Sequence, residues 1–309
     1  MLVGLAAVFA VLNGANDGGA MLAAALKARG LRLIVSLGLL SAALVVVPLV
    51  IGTRVADTLT SGLVTADRAT QPWLIGVGVV AAIVVVGALT AASLPTSLTL
   101  GTVGGIVGAG IGRGVPVMAG EVVRVLLVGI AAPVVGGLLA MGLARVVAFV
   151  LALGDGARLG TLHRIGAVIQ AIAYATNDGQ KMVAVLAVTS IGVGVPTLIA
   201  VAILFAIGTM LGIRAAATTL GSQILRASPR EEVTAQLASS VAVLGSAALG
   251  APVSMTQALS GGLIGTGMLR GLRQVRWQVA RQLALAWVMT LPSAAVVGAV
   301  VAVVVGRMT

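Results

Sequence analysis

The 309-residue sequence contains no cysteine, and aromatic residues make up only 2% of it. Without cysteine the chain has no disulfides, no thiolate metal ligands and no thiol nucleophile. Charged residues are also scarce, at 9%. The net charge of +11 would suit a nucleic-acid partner, but there are almost no aromatic rings on which bases could stack. These deficits exclude a water-soluble globular protein and argue against nucleic-acid binding.

Apolar residues dominate instead, with 59% of the chain and a mean hydropathy of +1.17. A helix needs roughly 20 apolar residues to cross a bilayer. Runs of about this length lie at 33–52, 72–94, 120–144, 195–213, 231–250 and 283–306. We therefore expect an all-α integral membrane protein, multi-pass in the cell (plasma) membrane, with no separate soluble domain.

One phrase of the sequence occurs twice. Its first copy is Pro95-x-Ser97-x-Thr99, followed four residues later by a Gly-Gly-x-x-Gly-x-Gly run. The second copy, 157 residues later, is Pro252-x-Ser254-x-Thr256 with the same glycine run. The chain is predicted to be two copies of one unit, residues 1–153 and 159–309. In a membrane protein this pattern indicates a transporter whose site lies where the repeats meet.

Each unit is predicted to contain a broken helix, a full span, a re-entrant helical hairpin and a final span. The hairpins are placed at about 72–110 and 231–268. Three crossings per unit invert the second unit relative to the first, and most basic residues then fall on the inner side, as the positive-inside rule requires. In an alternative count, residues 72–94 and 231–250 each cross the membrane fully. A bend within 120–153 could also add a crossing in each unit. The inversion of the second unit is a firmer expectation than the number of crossings.

Two acidic residues, Asp17 and Asp178, lie in apolar segments at equivalent places in the two units. A charge at the bilayer centre costs roughly 2.5 to 3.5 kcal/mol, so it needs a partner or a function. Capping of a helix that restarts after a break is the simpler interpretation; the repetition favours a functional one. Lys181, one turn after Asp178, is either a direct anion contact or the ion-pair partner of Asp178 or Asp17.

The two repeated phrases are predicted to form the hairpin tips. We expect each proline to begin a helix, because its missing N–H would be unpaired there in any case. The next turn then offers free backbone N–H groups and hydroxyls, and a helix amino terminus attracts anions. Two tips that meet near the bilayer midplane from opposite sides would enclose a small tetrahedral oxyanion. The single histidine, His163, is expected at the inner boundary beside Arg164, where an interfacial role is favoured over proton relay. Glu231 and Glu232 are expected at a helix start, with a place facing the cavity as the alternative.

The chain resembles the inorganic phosphate transporter (PiT) family. The resemblance covers essentially the whole sequence, through Gly14-Ala15-Asn16-Asp17, Thr176-Asn177-Asp178-Gly179-Gln180-Lys181, both tips, and the segment from Arg276-Trp277 to Leu291-Pro292. By motif match it implies a phosphate site composed of Asn16, Ser97, Thr99, Asn177, Gln180, Lys181, Ser254 and Thr256. It also implies a coupling cation near Asp17 and Asp178, where Na+ is a candidate, and a homodimer.

At three positions where the family usually has polar residues, this chain has Ala20, Leu98 and Met255. Because the site then has fewer oxygen ligands, the identity of the coupling ion, Na+ or H+, stays open. Because each negative charge that enters a cell at an interior potential of about −100 mV costs about 2.3 kcal/mol, divalent phosphate starts about 4.6 kcal/mol uphill and must travel with cations. The expected function is phosphate symport by alternating access, as the free ion or as a metal–phosphate complex. The partners are phosphate, a monovalent cation and the lipid bilayer, without an enzymatic cofactor.

Three alternatives differ in cargo or class. A sulfate or other oxyanion permease would keep the fold, and a passive anion channel would need no gradient. An intramembrane phosphotransferase would be an enzyme, but the sequence shows no nucleophile and base pair, so an enzyme is not expected.

Overall fold

Backbone polar groups have no water to pair with inside a bilayer, so an apolar chain satisfies them within helices. The computed structural model describes residues 2–22, 32–91, 96–153, 157–223 and 227–307. Across these ranges the regular structure is helical, apart from one isolated antiparallel bridge between Val64 and Val117. Pro95, the first residue of the first tip, lies outside the described residues.

The described residues form twelve α-helices, which we number in chain order. They are α1 (Leu2–Asn13), α2 (Leu33–Ile51), α3 (Arg54–Asp57), α4 (Thr70–Ala91), α5 (Leu98–Arg113), α6 (Ala119–Ala152), α7 (Ala157–Thr176), α8 (Asp178–Ala187), α9 (Val195–Gln223), α10 (Pro229–Ala248), α11 (Met255–Arg270) and α12 (Trp277–Gly306).

Six helical segments of the described chain are long and apolar enough to cross a membrane. Five of them coincide with apolar runs of the sequence, and the sixth is Leu2–Leu22. The run at 231–250 forms α10 but is not among the six, because polar and acidic residues interrupt it. Large apolar side chains are exposed on the long helices, for example Val50 (76%), Leu127 (63%) and Val288 (67%). Such surfaces suit lipid, so the chain is a multi-pass membrane protein.

The glycine runs of the two repeated phrases make matching contacts. A Cβ on Gly104 of α5 would lie 2.3 Å from the carbonyl oxygen of Leu291 in α12. A Cβ on Gly261 of α11 would lie 1.9 Å from the carbonyl oxygen of Pro133 in α6. Only glycine allows the helix backbones to approach this closely. The helix after each tip therefore packs on the long final helix of the other half of the chain.

Both Asn-Asp pairs interrupt a helix. After α1 the chain continues through a π-helical turn at Gly14–Gly18, which contains the first pair. In the second half α7 ends at Thr176, and α8 begins at Asp178 with Asn177 between them. Irregular turns of this kind are frequent at functional sites.

The expectation that proline begins the helix after each tip is wrong. Helix α5 begins at Leu98 with Ser97 as its N-cap, and α11 begins at Met255 with Ser254 as its N-cap. The serines have extended backbones, and the oxygen of Ser97 accepts the N–H of Leu100 at 3.3 Å. At the first tip a serine oxygen thus accepts an N–H that a proline at the same position could not pair, which explains the shift there. Ser254 makes no such cap, and its hydroxyl lies 2.7 Å from that of Thr256.

Candidate functional site

The two tips touch each other in the centre of the bundle. The hydroxyl of Thr99, in the first turn of α5, donates to the carbonyl oxygen of Val253, just before α11, at 3.2 Å. Ser97, Thr99 and Ser254 are all buried, with at most 2% of each residue exposed. The first turns of α5 and α11 therefore face one enclosed region, and each has backbone N–H groups without an intrahelical acceptor.

Lys181 connects the tips to the second helix break. Its ammonium donates to the carboxylate of Asp178, to the hydroxyl of Thr99 and, at 2.9 Å, to the carbonyl oxygen of Val253. An ammonium has three protons, so each of them has an acceptor. Lys181 is thus the ion-pair partner of Asp178, with 0% of the residue exposed.

Asp178 also caps the helix after the second tip. Its second carboxylate oxygen accepts the N–H of Met255 at 3.1 Å, at the amino end of α11. A carboxylate at this end of a helix interacts favourably with the helix dipole. The predicted capping role of Asp178 therefore applies to a helix that is distant in sequence, and it coexists with the ion pair.

Asp17 approaches the second tip from the first break. It accepts the side-chain N–H of Asn16 at 2.9 Å, and the hydroxyl of Thr256 lies 3.5 Å from the same oxygen. The hydroxyl of Thr256 is 2.7 Å from that of Ser254. The structure thus brings Asp17, Ser254 and Thr256 together, with Asn16 at a partly exposed edge.

Two predicted phosphate ligands support the surrounding chain instead of joining the hydroxyls. Gln180 accepts the N–H groups of Val55 and Ala56 at 2.8 and 3.1 Å and donates to the carbonyl oxygen of Gly52 at 2.9 Å. It therefore caps α3 and occupies both ends of its amide. Asn177 donates to Ser246 and Ala251 and accepts from Val253, and so fixes the segment before α11. The three distances are 3.1, 2.9 and 3.0 Å.

Two further buried polar side chains precede the helix breaks, and the repeated motifs do not include them. Asn13 and Tyr174 are fully buried, and neither the amide nor the hydroxyl has a hydrogen-bond partner among the described residues. Each lies four residues before an aspartate of the repeated pair, Asp17 or Asp178. The charges of both aspartates act on the Tyr174 hydroxyl. The four-residue spacing before each aspartate was the signal that the sequence offered. Because one residue is asparagine and the other is tyrosine, a comparison of identical repeated residues does not find it.

The arrangement combines groups that bind anions with groups that bind cations. Helix amino ends and hydroxyls donate to anionic oxygens, and carboxylates are hard oxygen ligands for cations. The described residues hold no group of three or more His, Cys, Asp or Glu side chains of the kind that holds a metal ion. The cluster therefore combines donors that suit a small oxyanion with carboxylates that suit a cation.

Comparison with known proteins gives concordant results. The model of the phosphate transporter family matches residues 13–159 and 156–298. A "Probable low-affinity inorganic phosphate transporter" of Rhizobium meliloti (strain 1021) is 28% identical over 97% of this chain and 95% of its own length. A protein of the same description from Mycobacterium bovis is 32% identical, over 97% of this chain and 75% of the relative. A solved structure titled "The sodium-dependent phosphate transporter" superposes with a TM-score of 0.83 at 19% identity, covering 99% of this chain and 98% of the other.

Proposed function

The chain belongs to the phosphate transporter family, and on this premise we propose that it is a secondary transporter that moves inorganic phosphate together with monovalent cations. It is accordingly a transporter and not an enzyme. We further propose that residues 1–153 and 159–309 are inverted repeats with re-entrant hairpins, and that the hairpin tips form the phosphate site. Transport then proceeds by alternating access around this site. The homodimer stays a prediction.

The observation that carries the proposal is the Lys181 ammonium, which joins the two tips and the second break in one buried contact set. Phosphate oxygens are negatively charged, and they are stronger hydrogen-bond acceptors than the neutral hydroxyl of Thr99 and carbonyl of Val253. An incoming phosphate could replace these weaker acceptors at the ammonium. Charge-assisted hydrogen bonds of this kind are roughly twice as strong as those between neutral groups.

Substrate binding would in this way compete with the contact between the tips. When phosphate takes over the Lys181 protons, the bond network from Thr99 to Val253 loses its central member. The two tips are then bridged by phosphate instead of by Lys181. Such an exchange links occupancy of the site to rocking of one half against the other, as alternating access demands.

Cation coupling is proposed at Asp17. Asp178 has a fixed counter-ion in Lys181, whereas Asp17 accepts hydrogen bonds from the neutral groups of Asn16 and Thr256. A monovalent cation beside Asp17 would neutralise that carboxylate and also face the phosphate. Divalent phosphate needs two positive charges to offset about 4.6 kcal/mol at 100 mV, so further cations would accompany the first.

The test is uptake of radiolabelled phosphate by the purified protein in liposomes, with sodium and proton gradients imposed separately. We expect accumulation above equilibrium with at least one gradient, and excess unlabelled phosphate should compete more strongly than sulfate. Equilibration at the same rate without any gradient would contradict coupled transport and indicate a channel. Preferential competition by sulfate would change the assigned cargo.

A further inference from the structure

Helices α7 and α10 run side by side in the same direction. The side chain of Gln236 donates to that of Gln170 at 2.9 Å. Asn177, seven residues after Gln170 and just beyond α7, donates to Ser246, ten residues after Gln236, at 3.1 Å. The two helices therefore stay side by side from Gln170 to the second helix break.

The facing sides of these helices are polar, although they are buried. Residues spaced by three, four or seven positions share one side of a helix. On α7 and α10 these positions hold His163, Gln170, Tyr174 and Asn177 opposite Glu232, Gln236, Ser239 and Ser246, a set that we call the polar lane. None of them exposes more than 6% of its surface. Val243, also on this side of α10, is an apolar interruption opposite Tyr174.

Several polar atoms of the lane point to an additional occupant. The Nε2 of Gln170, the Oε1 of Gln236 and the hydroxyl of Tyr174 have no hydrogen-bond partner among the described residues. Buried polar atoms are nearly always paired, with protein or with water. A donor, an acceptor and a hydroxyl along one line toward Asp178 match the hydrogen bonds of a chain of water molecules.

The equivalent surface in the first half of the chain is apolar. Positions 161 residues before His163 and Gln170 are Leu2 and Phe9, and positions 157 residues before Glu232, Gln236 and Ser239 are Ile75, Val79 and Ala82. These helices also pack closely, since a Cβ on Gly76 would lie 2.6 Å from Leu2. The repeats thus share a backbone arrangement, but only the second offers polar groups along it.

We propose that the polar lane is hydrated and conducts the coupling proton between the arginine-rich end of the bundle and the buried carboxylates, past Asp178 to Asp17, the proposed coupling residue. The inference rests on the proposed cation-coupled function for the identity of its ion. The amino ends of both helices carry the exposed Arg158, Arg164 and Arg230. His163 and Glu232, one or two turns inside, can exchange protons with water there. At the inner end the lane meets Asp178, which faces Lys181, with Asp17 across the site.

The first experiment measures hydration without using transport. The chain has no cysteine, so a single introduced thiol is the only target of a water-soluble methanethiosulfonate reagent. Ser239→Cys places it in the lane, and Ala82→Cys places it at the equivalent apolar position; both positions are 0% exposed. We expect at least tenfold faster labelling of Ser239→Cys in liposomes. Equal rates for the two variants would overturn the hydrated lane.

The second experiment tests proton conduction. Gln236→Leu removes the central amide, and Thr234→Val removes a buried hydroxyl of the same helix that bonds within its own helix, to Arg230. We expect Gln236→Leu to reduce proton-driven phosphate accumulation and proton entry at least tenfold, and Thr234→Val less than twofold. Phosphate exchange without a gradient reports whether each variant is folded.

The outcomes separate this inference from the proposed function. Wild-type uptake that follows a sodium gradient and ignores a proton gradient would overturn the proton assignment and leave phosphate transport intact. If no gradient or exchange condition moves phosphate, the proposed function fails, while cysteine labelling still decides whether the lane is hydrated. Full proton entry in Gln236→Leu would overturn conduction through the lane.

Discussion

Removal of the Lys181 ammonium is expected to destabilise the protein far more than removal of a comparable surface cation. Lys181→Met keeps most of the side-chain length but leaves the Asp178 carboxylate without a counter-ion, in a pair whose side chains are 1% and 0% exposed. Loss of one partner from a buried pair costs about 3 to 5 kcal/mol in the free energy of unfolding. The contacts to Thr99 and Val253 are lost as well.

The chain offers a matched control with the same sequence spacing. Arg124 and Glu121 also form a pair three residues apart, but their side chains are 38% and 25% exposed. Exposed pairs contribute about 0 to 1 kcal/mol, so Arg124→Met should cost about 1 kcal/mol. Each cation also donates outside its pair, Arg124 to the carbonyl oxygen of Leu249 and Lys181 to Thr99 and Val253, so the difference between the variants reports burial together with the contacts to the tips.

The assay is unfolding in mixed micelles by SDS titration, followed by fluorescence of the three tryptophans. A second variant checks the cause: Asp178→Asn in the Lys181→Met protein removes the uncompensated charge and should restore about 1 to 3 kcal/mol. Equal losses for Lys181→Met and Arg124→Met, or no recovery in the double variant, would refute the assignment of a buried ion pair that holds the tips together.

Three further predictions concern transport and packing. Asp17→Asn should abolish gradient-driven phosphate accumulation in liposomes while the protein stays folded and monodisperse; normal accumulation would remove Asp17 from coupling. Ser97→Ala and Ser254→Ala should each raise the apparent Michaelis constant for phosphate uptake, since a lost hydrogen bond is worth about 0.5 to 1.5 kcal/mol, or roughly two- to tenfold. Gly261→Ala should lower the unfolding midpoint clearly, because its Cβ would lie 1.9 Å from a backbone oxygen, whereas Gly129→Ala, with no atom within 4 Å, should leave it nearly unchanged.

The sequence was most informative where residues recur in identical form. The Asn-Asp pairs and the Pro-x-Ser-x-Thr phrases predicted which segments carry the central polar groups, because polar residues in an apolar chain are few and their repetition is visible. It did not predict the contacts of Gln180, which accepts from backbone N–H groups 124 and 125 residues away. Every residue has the same backbone donor and acceptor, so the sequence does not indicate which backbone groups a side chain will bond. Such hydrogen bonds are seen only in the structure.

His163 is buried inside the bundle, for a reason that the sequence contains. Arg164 is exposed, but His163 is only 1% exposed. Adjacent residues of a helix point about 100° apart, so a charged neighbour says little about the side chain beside it. The seven residues from His163 to Gln170 and the four from Gln170 to Tyr174 were the better guide, and they place His163 on the buried side of α7. Glu231, in contrast, takes the expected place at a helix start, in a capping box with Ser228.

The two aspartates differ because the repeat is imperfect three residues later. Position 181 holds a lysine, whereas the equivalent position after Asp17 is Ala20. If both carboxylates are ionised, they face one ammonium, and the buried cluster then has one excess negative charge. A phosphate that entered this cluster alone would add to that charge in a region of low dielectric constant, where like charges repel strongly. We therefore expect a cation to bind at Asp17 before phosphate or together with it, because position 20 holds alanine where position 181 holds lysine.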